Sequence, residues 1–279
     1  MGAPRSTLLV ALLVAHCGPG EPARSVEPTR TPERAASDEP GSEPAPARGP
    51  TARRVAASTG IEVQGEVGGL EQEAVDRVVG SANGDIDACW AKATERNELV
   101  SGTVQLVIGV GGQGRSVYAF VKQSSLGDAR AERCLLDALS SKGWPKPVGG
   151  KVGVVRTSLA FELPKGTRGP TPWASGRVSD VLATAASELS ACKKGVVTPF
   201  TATVYVKQVE LPPPPADADA GDAGDAADAG PVFAGAAISV GVAASDEKAA
   251  AASECLERLL SQASYPAPGE WPAKVTFEL

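Results

Sequence analysis

The body of this 279-residue chain carries one pattern of apolar residues twice, and this repetition constrains the fold more than any other feature. In each copy, small or apolar residues recur at the spacing of one face of an amphipathic helix, and the second set follows the first by 103 positions. The two sets are Val75, Val78, Val79, Ala82, Ile86 and Cys89, and Val178, Val181, Leu182, Ala185, Leu189 and Cys192. A helical face that returns with identical offsets predicts two similar modules.

Each copy continues with two strand patterns, a second amphipathic helix, an aromatic-proline pair and a closing strand. The predicted strands are 103–110, 116–123 and 159–163 in the first copy, and 200–208, 236–242 and 275–279 in the second. Both copies end in Phe-Glu-Leu. We therefore predict an α+β fold of two tandem α-β-β-α-β modules, each with two helices packed on a three-stranded antiparallel sheet. The first hairpin strand should lie in the centre of each sheet, which leaves two open edges.

Short motifs of the first copy have a wider resemblance. They are Ile86-Asp87-Ala88-Cys89-Trp90, Gly102-Thr103-Val104, Ser124-Ser125-Leu126-Gly127-Asp128, Cys134-Leu135 and Trp144-Pro145-Lys146-Pro147. Together they resemble the TonB C-terminal-like domain, in the branch found in adventurous-gliding envelope proteins of the AgmX/PglI type. The resemblance covers residues 69–163 well and 175–279 more loosely. It implies a small module outside the cytoplasm that binds partners or transmits force and is not an enzyme, without the energy-transducing role of TonB.

The N-terminus has the pattern of an export signal. A nine-residue uncharged run at 7–15 follows Arg5, and it is far shorter than the roughly 20 residues of a membrane-spanning helix. Val14-Ala15-His16-Cys17 then resembles a bacterial lipobox, with His16 where a smaller residue is usual. We predict a signal peptide over 1–17 and a lipid anchor at Cys17, with Gly18 favouring the outer membrane. A periplasmic or secreted protein without lipid is the alternative.

Composition marks the boundaries between the predicted segments. Residues 18–66 are rich in proline and predict a disordered linker. The modules are then 67–165 and 175–279, joined by a linker at 166–174. The second module contains an acidic, low-complexity stretch at 211–230, which we place at the tip of its hairpin. Its spaced aspartates lack the glycine and the glutamate that an EF-hand loop needs at its sixth and twelfth positions, which favours a solvated acidic insertion over calcium binding, the alternative.

Several classes of function are disfavoured by composition. The formal net charge of −6 provides no basic surface for nucleic acid. The single histidine, His16, lies in the N-terminal apolar segment, so the body has no histidine for a catalytic pair or a metal site. The G-x-G-x-x-G run at 109–114 precedes a predicted strand rather than a helix, which indicates a hairpin turn and not a nucleotide site. We predict no cofactor.

The five cysteines divide into one lipidation candidate and two equivalent pairs. In each module, one cysteine lies on each predicted helix. In an oxidising compartment this placement predicts the disulfides Cys89–Cys134 and Cys192–Cys255. A thiol-disulfide redox enzyme is a less favoured alternative, because the chain has no Cys-x-x-Cys pair.

These features together predict a non-catalytic lipoprotein of the cell envelope whose modules bind unidentified envelope proteins. The open sheet edges suggest binding by strand addition. The alternative is a module that binds an envelope polymer such as peptidoglycan through exposed aromatic side chains. The candidate residues for such a surface are Trp90, Tyr118, Phe120 and Trp144, which in a chain with 4% aromatic residues are also the natural core residues.

Overall fold

The computed structural model describes residues 62–63, 69–149, 151–212 and 231–279. All of them belong to one compact unit, Arg48–Leu279. We call residues 62–161 the first half and residues 171–279 the second half. In chain order, the first half consists of β1 (Glu62–Val63), α1 (Gln72–Ser81), α2 (Asn83–Arg96), β2 (Gly102–Gly111), β3 (Ser116–Ser124), α3 (Ala129–Ser140) and β4 (Val152–Phe161).

The second half has a similar order of elements. It consists of β5 (Thr171–Trp173), a 3₁₀ helix (Ser175–Val178), α4 (Ser179–Thr184), α5 (Ala186–Lys193), β6 (Phe200–Glu210), β7 (Phe233–Ala244), α6 (Glu247–Gln262), β8 (Ser264–Tyr265) and β9 (Ala273–Glu278). The described residues therefore form a mixed α+β fold with six α-helices and two sheets. This agrees with the predicted fold class.

The predicted first helix of each half is in fact two helices. The break lies at Ala82 between α1 and α2, and at Ala185 between α4 and α5, which are equivalent positions of the repeat. The apolar face continues through the break in the first half, since Val75, Ala82 and Ile86 are all fully buried. Periodicity alone therefore cannot reveal a helix break that keeps the same face on the core.

The first sheet has the strand order β1-β4-β2-β3, and all its pairings are antiparallel. Its three long strands have the predicted order, with β2 in the centre. The glycine run forms the hairpin turn between β2 and β3, where the amide of Gly111 donates to the carbonyl of Arg115 at 2.8 Å. Gly114 has a φ of +73°, and a Cβ there would lie 2.4 Å from the carbonyl oxygen of Trp144. This turn therefore requires glycine for both its backbone angle and its space.

The second sheet has the order β5-β9-β6-β7-β8, with β6 in the centre of its three long strands. Because β5 runs parallel to β9, this sheet is mixed rather than purely antiparallel as predicted. The amide of Leu211 donates to the carbonyl of Val232 at 2.8 Å, which extends the β6–β7 ladder towards the acidic stretch. Most of that stretch, residues 213–230, lies outside the described residues. The spaced aspartates on which the calcium alternative depends lie in this same range.

Both predicted linkers contribute a short strand. Glu62–Val63, at the end of the linker 18–66, pairs with Val155 and Arg156 of β4. Thr171–Trp173, inside the linker 166–174, pairs with β9. Two or three residues are too few for an alternating pattern, so the sequence offered no strand signal there. The remaining positions of the 18–61 segment and the signal peptide lie outside the described residues.

Each half has its own apolar core between helices and sheet. In the first half, the fully buried β2 residues Val104, Leu106 and Ile108 pack with α2 and α3. In the second half, Ala202, Val204 and Val206 of β6 pack with α5 and α6. The opposite face of β6 is buried at Thr203 and Tyr205, and Tyr205 packs into the core of the first half. The two halves therefore share a buried contact, and the strands on this contact position the candidate sites.

Candidate functional site

Both predicted disulfides are present. Cys89 of α2 is bonded to Cys134 of α3 with a Cα–Cα distance of 5.7 Å, and Cys192 of α5 is bonded to Cys255 of α6 with a distance of 5.5 Å. Each bond joins the two helices that cover one sheet, which is the arrangement expected from the repeat. Cys17, the predicted lipidation site, lies outside the described residues.

The four candidate aromatic side chains do not form an exposed surface. Trp90 is 4% exposed and its ring stacks on Phe161 at 4.6 Å between centroids, while Trp144 is 5% exposed within the first core. Phe120 is also buried, and Tyr118 is half-buried with its ring close to the backbone of Gly109. Because the sheet needs large side chains to cover its small residues, these aromatics fill space inside the fold. The candidate surface of Trp90, Tyr118, Phe120 and Trp144 is therefore corrected to core and sheet packing.

The outer side of β4 is a partly paired strand edge. β4 pairs with β2 along its whole length, from Val152 to Phe161. On its other side it pairs only with the two residues of β1, at Val155 and Arg156. Within the described ranges, no strand pairs with the outer side of β4 from residue 157 to 161. Such an edge presents backbone donors and acceptors that an added strand can use.

Polar side chains join the two halves through Ser101. The hydroxyl of Tyr205 accepts from the amide of Ser101 at 3.0 Å and donates to its carbonyl at 3.1 Å. The ammonium of Lys274 donates to the same carbonyl at 2.6 Å and lies over the ring of Tyr205, 5.1 Å from its centroid. Burial lowers the pKa of Lys274 to about 8. The pattern of β6 predicted a strand, but it gave no sign that Tyr205 would bind the other half.

A charged cleft of about 380 Å³ follows the same boundary. At its wall, Asp128 caps α3 by accepting from the amide of Ala131 at 2.8 Å, and it also accepts two hydrogen bonds from Arg96 at 2.9 and 3.1 Å. Arg133 of α3 and Glu257 of α6 form an ion pair across the halves at 2.8 Å. The cleft thus holds alternating charges that pair with one another.

Glu132 is the most unusual ionisable group on this boundary. It is 2% exposed, its Oε1 accepts from the hydroxyl of Ser124 at 2.7 Å, and its Oε2 has no hydrogen-bond partner among the residues that the structure describes. Burial raises its pKa to about 7, and the Ser124 hydrogen bond opposes that rise. Glu132 also lies directly against β7, where a Cβ on Gly241 would be 2.3 Å from Oε1. Sequence reasoning missed this residue, because a glutamate in a helix is usually exposed.

Another depression is apolar. It has a volume of about 520 Å³ and lies between α4, α5 and the end of α6, with Val181, Leu259 and Tyr265 among its walls.

None of the helices in the described ranges combines the length and apolarity needed to cross a membrane. In the same part of the chain, no three His, Cys, Asp or Glu side chains are grouped as metal ligands would be.

Comparisons of the chain with protein families, with curated proteins and with solved structures found no match.

Proposed function

We propose that this chain is a non-catalytic lipoprotein of the cell envelope that binds protein partners by adding a partner strand to the outer edge of β4. The observation that carries the proposal is the partial pairing of this edge. β1 already adds as a strand at Val155 and Arg156, so the edge has a geometry that accepts one. The neighbouring residues from 157 to 161 offer the continuation of the same ladder.

The remaining parts of the proposal rest on the repeat and on the cysteines. Breaks at the equivalent residues Ala82 and Ala185, and disulfides at equivalent helix positions, favour two copies of one module resembling the TonB C-terminal-like domain. Disulfides form and persist outside the reducing cytoplasm, which favours the envelope as the compartment. Lipidation at Cys17 would then hold the modules at a membrane.

Two alternative functions, polymer binding and redox catalysis, are less well supported than strand addition. Binding of an envelope polymer was predicted from four aromatic residues, and two of these, Trp90 and Trp144, lie in the core. Redox catalysis needs an accessible, activated sulfur. Here one sulfur of each bond belongs to a buried cysteine, Cys89 or Cys192, and its partner, Cys134 or Cys255, is only partly buried, so the absence of a Cys-x-x-Cys pair remains the main argument against redox catalysis.

A site-specific photo-crosslinker tests the proposal. We would place it at Ser158 on β4, and as a control at Glu73 on the exposed side of α1. The full chain is incubated with solubilised envelope proteins and, separately, with purified cell-wall sacculi. We expect protein adducts from position 158 that are absent from position 73. Retention on sacculi without any protein adduct at position 158 would contradict strand addition and favour polymer binding.

A further inference from the structure

A second cavity lies where the two halves meet, next to the charged cleft, since Arg133, Glu254 and Glu257 line both spaces. Its volume is about 260 Å³, and its walls come from β3 and α3 of the first half and from β7 and α6 of the second. Most of its surface is apolar, contributed by residues such as Phe120, Leu136, Val242 and Ala250. This space accommodates a short aliphatic chain.

One end of this cavity is polar and incompletely hydrogen-bonded. Glu132 lines it, and within the described part of the chain the Oε2 atom of that side chain is buried without a partner, although Oε1 accepts from Ser124. A buried carboxyl oxygen without a donor costs free energy, because it has lost its water and gained nothing in exchange. The hydrogen bonds that lower the pKa of this carboxyl come from Ser124 and the backbone of Gly127, and Oε2 is left as the acceptor that a donor in the cavity can satisfy.

The charge around the cavity favours a cation. Besides Glu132, the carboxylates of Glu254 and Glu257 line it, and Arg133 is the one cationic side chain among the lining residues. Glu257 is already paired with Arg133 at 2.8 Å. An ionised Glu132 is thus left without a counter-charge in the cavity, and its pKa is raised accordingly by burial and by the nearby Glu257 and Asp128.

We infer that this cavity binds the ammonium end of an aliphatic amine, with the ammonium on Glu132 and the alkyl chain against Phe120 and Leu136. An ammonium needs a single point of contact and carries three donors, whereas a guanidinium binds best when both carboxylate oxygens are free. Oε1 is occupied by Ser124, so the available geometry suits an ammonium. The apolar walls cover the methylene groups, as they do for buried lysine stems.

Two sources can supply this chemistry, a small free amine or the lysine side chain of a peptide. The inference does not depend on the proposed strand addition, because the cavity lies at β3 and α6 while the strand edge belongs to β4. Failure of the photo-crosslinking experiment would therefore leave the amine site unaffected. Failure of amine binding would likewise leave strand addition at β4 unaffected.

The test measures binding to the full chain at pH 8 by titration calorimetry. The probes are n-butylamine, the neutral analogue 1-butanol, and the blocked tripeptide acetyl-Gly-Lys-Gly-amide. We expect n-butylamine to bind and 1-butanol to bind at least tenfold more weakly. Glu132→Gln should weaken n-butylamine at least tenfold, while Glu73→Gln, an exposed glutamate on α1, should leave its affinity unchanged.

A second variant keeps the test decisive if Glu132→Gln does not fold. Ala250→Leu fills the cavity from α6 without touching the carboxyl, and it should also abolish binding of n-butylamine. Tripeptide binding as tight as that of n-butylamine assigns the site to a lysine side chain, and amine binding without tripeptide binding assigns it to a free amine. Retained affinity in either variant, equal binding of 1-butanol, or no binding of n-butylamine would overturn the inference.

Discussion

Glu132 shows how one residue makes the stability of this protein depend on pH. Its carboxyl has an ordinary pKa of 4.5 when unfolded and a pKa of about 7 in the fold, because burial disfavours the charged form. The groups that face it are Ser124 on β3, Asp128 at the start of α3, and Glu257 on α6. Asp128 is compensated by Arg96, and Glu257 by Arg133. Among these carboxylates, Glu132 alone has no cationic partner in the described ranges.

We predict that the unfolding free energy falls as the pH rises from about 4.5 to about 7. The folded state holds the Glu132 proton more tightly than the unfolded state. The stability that this proton contributes is therefore fully present below pH 4.5, the pKa in the unfolded chain, and is lost as the pH rises to about 7, the pKa in the fold. The shift corresponds to about 3 kcal/mol. Urea unfolding across this range should show that Glu132→Gln removes most of the slope.

The control for this prediction is Glu73→Gln, which removes an exposed charge of α1. It should leave the slope of the wild-type chain intact. Equal slopes in the wild type and in Glu132→Gln would show that the carboxyl is ionised in the fold throughout this range. The pKa of Glu257 is also raised by burial, so a small residual slope of the same sign is expected.

At the scale of elements, the helix pairs that cover each sheet are held by the disulfides. We predict that replacing Cys89 and Cys134 together by alanine lowers the unfolding free energy by about 4 kcal/mol, the loop-entropy value for a bond that closes 45 residues. Both cysteines pack beside other apolar residues, so alanine leaves little unsatisfied polarity. Urea unfolding with and without reductant measures the loss.

The equivalent change at Cys192 and Cys255 provides the matched comparison, since that bond closes 63 residues and should contribute a similar amount. Peptide mapping without reductant should recover Cys89 joined to Cys134 and Cys192 joined to Cys255. Bridges between the halves, or unchanged stability after reduction, would contradict this assignment.

The elements also show what a sequence pattern can and cannot predict. Strands β2, β3, β6 and β7 were predicted within a few residues, because their alternation is long and each is bounded by turn residues. The helix breaks at Ala82 and Ala185 were missed, since the apolar face is continuous across them. The short strands β1, β5 and β8 were missed because their pairing is set by the neighbouring long strand and not by their own residues.

The candidate sites were less predictable than the elements, for a related reason. The cysteine pairs followed from the repeat, whose two copies place them alike. Glu132, Tyr205 and Lys274 lie on faces that pattern reasoning assigns to solvent, and the packing of one half on the other buries them. For the aromatic residues, a chain poor in aromatics favours the core over a binding surface, and Trp90 and Trp144 do lie in the core.

At the scale of the whole molecule, the contact between the halves is built from buried polar groups as well as apolar ones. Thr203 donates to the carbonyl of Ser124 at 3.3 Å, and the amide of Asn97 donates to the hydroxyl of Ser239 at 3.1 Å. Tyr205 is fully buried and belongs to the second sheet, yet it packs with the first core. Such a contact couples the stability of one half to that of the other.

We predict that Tyr205→Phe lowers the unfolding free energy by about 1–3 kcal/mol, because it leaves the partly buried amide of Ser101 without its acceptor. The matched control is Tyr118→Phe, whose hydroxyl makes no hydrogen bond within the described residues, and it should change the unfolding free energy by less than about 0.5 kcal/mol. Hydrogen exchange should show faster exchange of the amides of both β2 and β6 in Tyr205→Phe. If only β6 responded, or if both variants behaved alike, the halves would be independent units and not one coupled structure.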